Sequence, residues 1–143
     1  MARPRTSAFT LLELTIALAI AATLLAFAVP SYRSHVVRAH RVDAASALYR
    51  AAQFVEGSAS DGPATLPMGL DQAPQFGTPI YRLQVLPADD ANGGYSVEAV
   101  PIETSPMRDD ACGTFTLDAT GLRGNRNGAN GTAPASRECW NTS

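Results

Sequence analysis

The chain has 143 residues and a formal net charge of −2, with 45% hydrophobic residues. That suits one modest domain plus whatever the first thirty residues are, and it excludes a chain disordered by composition. All 11 basic side chains are Arg, which we read as compositional bias. The near-zero balance argues against a general nucleic-acid binder, while leaving room for a local Arg cluster on phosphate.

The first eight residues, MARPRTSA, carry Arg3 and Arg5, the pattern that keeps a leading end in the cytoplasm while an apolar segment inserts. Residues 9–29 follow almost without charge. As a helix this run extends about 30 Å, enough to cross a bilayer core. Its exception is Glu13. A carboxylate gains from a helix N-terminus but costs about 2.5–3.5 kcal/mol in hydrocarbon, so it calls for a partner. A secretory signal cut at Ala26-Phe27-Ala28 and a plain membrane anchor both leave Glu13 unexplained.

Pro30 removes one helical hydrogen bond and predicts a kink. Beyond it helical periodicity continues to Gly57, the expected stop. Val37, Ala44, Leu48, Ala51 and Val55 form one stripe, flanked by Val42, Ala45, Tyr49 and Ala52, so this half buries one face on a sheet. Arg33, Arg38, Arg41 and Arg50 read as a solvated face, with some pairing to Asp43 or Glu56, or as a subunit contact. His35 and His40 lie about 140° apart around the helix and read as surface residues rather than a metal pair.

Residues 57–79 are punctuated by Gly, Pro, Ser and Asp and read as a long functional loop. IYRLQVL then alternates, with Tyr81, Leu83 and Val85 on one side, and YSVEAVPI does the same through Tyr95, Val97 and Ala99. Around Asn92-Gly93 the two form an antiparallel hairpin. The acid pairs Asp89/Asp90 and Asp109/Asp110 lack the spacing of a calcium loop and read as turns. DDACGTFTLDATGLRGN, with Phe115 and Leu117 on one face, reads as a third strand, followed by a turn from Asp118 to Gly121. The remainder is Gly/Asn-rich.

Cys112 and Cys139 are the two cysteines. Behind an export-like N-terminus they make one disulfide most simply, closing a loop of about 28 residues worth about 3.5 kcal/mol in the chain-entropy model. Arg123, Arg126 and Arg137 lie in or beside that loop, interleaved with Asn125, Asn127 and Asn130, groups able to meet phosphate and base edges. The plainer reading is that they keep a glycine-rich loop soluble. No nucleophile–base pair, metal cluster or phosphate loop is visible, so neither an enzyme nor a cofactor is expected.

Ala8, then FTLLEL with Phe9 and Glu13, then the apolar run to Pro30, resembles the type IV pilin family. RVDAASAL, CGTFTLDATGLRGN and the final ECW resemble its PilE-type minor pilins, a group that includes ComP-like DNA-uptake pilins. The 57–79 loop carries no part of that resemblance. The family normally has Gly where this chain has Ala8. The resemblance implies an α+β fold, a long N-terminal helix on a small antiparallel sheet with a disulfide-bounded C-terminal loop. It divides the chain into a leader (1–8), a transmembrane and filament-core helix (9–30) and an extracytoplasmic domain (31–143).

It further implies that a prepilin peptidase cuts between Ala8 and Phe9 and methylates the Phe9 amine. The helix then waits in inner-membrane lipid until an assembly platform passes it into an extracellular filament beside major and minor pilins. There the Phe9 amine of one subunit meets Glu13 of the next, a pair that fixes register more than it adds stability. The implied function is a minor pilus subunit serving assembly, adhesion, twitching motility or DNA uptake. The alternatives are a pilus-displayed DNA receptor, using Arg123, Arg126 and Arg137, and a type II secretion pseudopilin, which the cysteine pair disfavours.

Overall fold

A computed structural model describes residues 9–58, 65–126 and 135–140. The leader and Ala8 lie outside them, as do Asn127 and Asn130. Helix α1, Leu11–Gly57, continues through Pro30 without interruption. Five antiparallel strands follow: β1 (Gln72–Ala73), β2 (Tyr81–Leu86), β3 (Ser96–Pro101), β4 (Thr114–Asp118) and β5 (Arg123–Arg126), with the short helix α2 (Ser136–Trp140) last. Their order in the sheet is the order in the chain.

The chain divides into two compact units, up to Val36 and from Val37 on. In the first, α1 opens on a cap. Thr10 Oγ1 accepts from the Glu13 backbone N–H at 3.2 Å, so TLLE has the sequence of a capping box with the acid in the first turn. Every described residue to His35 is exposed, including Phe9, Leu12, Ile16 and Phe27. By length and composition this stretch can cross a membrane.

The second unit holds the core. Ala44, Ala47, Leu48, Ala51, Ala52 and Val55 of α1 are buried with Tyr81, Leu83, Val97, Ala99, Phe115 and Leu117 of the sheet. The expected stripe is thus present, with two differences: Ala47 joins it, while Val42 and Tyr49 are exposed. In β2–β3, Leu83 faces Ala99 and Val85 faces Val97; in β3–β4, Val97 faces Leu117 and Ala99 faces Phe115. Directly opposed residues share a face, so one side of the sheet is apolar from β2 to β4. The hairpin turn is tied by Asn92, whose side chain accepts from the Asp89 and Gly94 N–H groups and donates to the Pro87 carbonyl. Gly93 there has φ +72°, open to glycine at no steric cost.

Three elements were not expected. β1 lies inside the 57–79 stretch read as irregular; Asp71 O and Ala73 O accept from Leu83 N and Ile80 N, extending the ladder by two residues. β5 and α2 occupy the Gly/Asn-rich tail, where β5 pairs along β4 from Thr114↔Arg126 to Leu117↔Arg123. A Cβ at Gly124 would meet Thr116 Oγ1 at 2.5 Å, so any larger residue there requires the Thr116 side chain to turn away. His40, read as a surface residue, is half-buried, its Nδ1 without a hydrogen-bond partner among the described residues.

Candidate functional site

The Cys112–Cys139 disulfide forms, with the two Cα atoms 5.7 Å apart. It joins the segment just before β4 to α2, and both cysteines are buried. Beside it α2 sets Trp140 on the core: its Nε1 donates to the Gly124 carbonyl at 2.9 Å, and its ring meets Phe115 and Tyr49 edge-on at 5.6 and 6.2 Å. Phe115 continues the chain of rings to Tyr81 at 6.1 Å. These edge-to-face contacts link α1, α2, β4 and β2.

The three arginines proposed for DNA do not form one patch. Residues 123 and 126 are three apart on a strand and therefore point to opposite faces. Arg123 opposes Leu117 on the core-side face and lies over the Trp140 ring at 5.9 Å. Together with Ser136, Arg137 and Trp140 it lines a pocket of about 200 Å³. Arg126, on the outer face, pairs instead with Glu98. That carboxylate is only 2% exposed although it lies on the outer side of the sheet, and Gln84 Nε2 donates to its other oxygen at 3.2 Å. Asn125 is also turned inward, donating to Cys112 O and Cys139 Sγ. So Arg123 and Arg137 come together, while Arg126 and Asn125 have structural partners.

Of the helix arginines, Arg33 and Arg38 are exposed as a solvated face requires, whereas Arg41 departs from that reading. Arg41 forms two bonds with Asp110, Nη2 to Oδ1 at 2.6 Å and Nε to Oδ2 at 3.2 Å. Glu56 instead accepts from the Tyr95 hydroxyl at 3.0 Å. Burial, that hydrogen bond and the Glu56 and Asp118 charges push the Tyr95 phenol up to about 12. Burial, with the Asp110 charge, raises the Tyr81 phenol further. Asp109 pairs with its neighbour Arg108, whereas Asp110 is nearly buried, so only the first acid of that pair sits at the surface. Spacing alone could not find these partners, because the ties run 69 residues along the chain for Arg41 and across three strands for Arg126.

A long N-terminal helix opening on an exposed apolar segment, a small antiparallel sheet covering its second half, and a disulfide stapling the C-terminal region together define a type IV pilin. A family model described as type IV minor pilin ComP, DNA uptake sequence receptor, matches residues 30–116, and one described as the prokaryotic N-terminal methylation motif matches residues 3–29. The chain belongs to the ComP minor pilin family. It is a minor type IV pilin subunit, and its family is one of structural pilins, not of enzymes. The ComP match runs through the 57–79 loop, which had carried no resemblance, and ends before Arg123. No curated protein matches the chain.

Proposed function

We propose that this minor pilin binds DNA on the pilus surface and serves its uptake. The carrying observation is the convergence of Arg123 and Arg137 on Trp140 beside the disulfide, in a pocket with no carboxylate in its lining among the described residues. The description of the matching family, a DNA uptake sequence receptor, supports the reading independently. The test is DNA affinity of the full-length mature chain in detergent micelles across salt concentration. Duplex binding that weakens steeply between about 50 and 200 mM salt is expected, and negligible binding at low salt would refute it.

The route to the pilus follows from the methylation motif. In this reading the prepilin peptidase cuts between Ala8 and Phe9 and methylates Phe9. The apolar part of α1 rests in inner-membrane lipid until the assembly platform moves it into the filament among other pilins. Within the filament the Glu13 carboxylate meets the Phe9 amine of a neighbouring subunit. Mass spectrometry of the mature protein checks the first step, with N-methylated Phe9 as the expected terminus; a start at Val29 would instead mark signal-peptide cleavage.

A further inference from the structure

We infer that the pocket lined by Arg123, Ser136, Arg137 and Trp140 seats a single backbone phosphodiester group of DNA, adding affinity without base discrimination. The inference rests on the DNA-binding reading above and specifies what that site recognises.

Size is the first argument. About 200 Å³ falls below the roughly 300 Å³ at which pockets enclose a drug-sized molecule, so the site admits one small group at the edge of a larger ligand. Among the described residues its lining offers two guanidiniums and a hydroxyl, a set of donors suited to phosphate oxygens. Glu138 follows Arg137, but successive helical residues diverge by about 100°, and it is not part of the lining.

Preorganisation is the second. Trp140 is held by the Gly124 carbonyl and two aromatic edges, so its indole is a fixed platform. Arg123 rests over that platform and loses less freedom on binding than an unsupported side chain.

The case against base reading is equally direct. Trp140 is 8% exposed and cannot offer a face to a stacked base. Among the described residues the lining contains no Asn or Gln, the amides that read adenine. An arginine reading guanine must extend into a groove, whereas Arg123 lies back over the ring.

The test measures binding of the full-length mature protein, in detergent micelles, to duplexes of unrelated sequence. Relative to wild type, Arg123→Gln/Arg137→Gln should weaken all duplexes by the same factor and shrink the slope of log affinity against log salt by about 1 to 2. Arg123→Lys, which keeps the charge, should retain most of the slope, and Arg126→Gln all of it. Inorganic phosphate should shift the Arg123 and Arg137 side-chain NMR signals in the direction DNA does, separating a bare anion site from one that needs the polymer. A changed ranking among duplexes, or an unchanged slope in the double variant, would overturn the inference while DNA binding itself stands. A wild type that binds no duplex would remove the underlying reading as well.

Discussion

Arg41 on α1 and Asp110 ahead of β4 form a two-bond ion pair across the second unit, the carboxylate 6% exposed and the guanidinium 24%. Asp110 Oδ2 also accepts from the Cys112 backbone N–H at 3.3 Å, so one carboxylate connects the helix to the disulfide. Breaking such a pair strands a desolvated charge, while replacing both partners with apolar groups removes the desolvation cost as well. Arg41→Met alone should therefore destabilise the domain by about 3 kcal/mol, and Arg41→Met/Asp110→Leu by clearly less. Urea denaturation of the four members of the cycle checks this, and additive losses would contradict it.

Glu98 and Arg126 make a second such tie on the outer face of the sheet. Arg126→Ala leaves Glu98 buried with Gln84 as its remaining side-chain donor among the described residues. The expected loss of stability is about 1–3 kcal/mol. Glu98→Gln in the same chain should restore part of it, because the stranded charge is gone. Thermal denaturation of the single and double variants decides the point, and full stability in Arg126→Ala would show the pair to be incidental.

Tyr95 gives a pH signature. Its phenol is raised to about 12, so the folded state holds the proton more tightly than the unfolded chain, where tyrosine titrates near 10. The associated stability is fully present below about pH 10 and is lost as pH rises through about 12. Ultraviolet titration should find one tyrosine ionising near 12, and Glu56→Gln should bring that transition down. Asp118 behaves oppositely at the acid end. The Thr120 hydroxyl and backbone N–H groups donate to it and lower its pKa, so its contribution persists above the ordinary carboxylate range and fades as pH falls below it.

The proposed role of Glu13 can be separated from its place in the helix cap. The cap bond uses the Glu13 backbone N–H and the Thr10 hydroxyl, so Glu13→Gln leaves it intact and removes only the charge. Helix content and leader cleavage should be unchanged, while the amount of protein in sheared pili falls several-fold. Equal incorporation of Glu13→Gln and wild type would exclude the charge pair with the Phe9 amine.

The elements legible in the sequence were those whose own residues carry the period. α1 declares itself through the apolar run and then through Ala44, Leu48, Ala51 and Val55; β2, β3 and the start of β4 declare themselves by alternation. What stayed hidden depends on partners. Gln72-Ala73 becomes a strand because the hairpin edge offers it two rungs, and Arg-Gly-Asn-Arg becomes one because β4 does. Neither stretch contains a β-branched or aromatic residue. The five-residue α2 lacks any periodic signal and is held by the disulfide and Trp140. Of the candidate site, the arginines were visible as residues, but not their division between two faces. That division required knowing that residues 123–126 are a strand.

The four buried alanines of α1, at 44, 47, 51 and 52, share one core with Tyr81 and Phe115. Apart from Leu48 between them, these single methyl groups leave the bulk to the opposing rings, and an alanine has no long side chain that could swing aside for a newcomer. Such a joint is unforgiving in one direction: trimming it to glycine removes little volume, whereas any enlargement must lever the stem away from the strands. Substitution is therefore tolerated more readily in the exposed loops than along the stem's inner edge, which has to stay narrow.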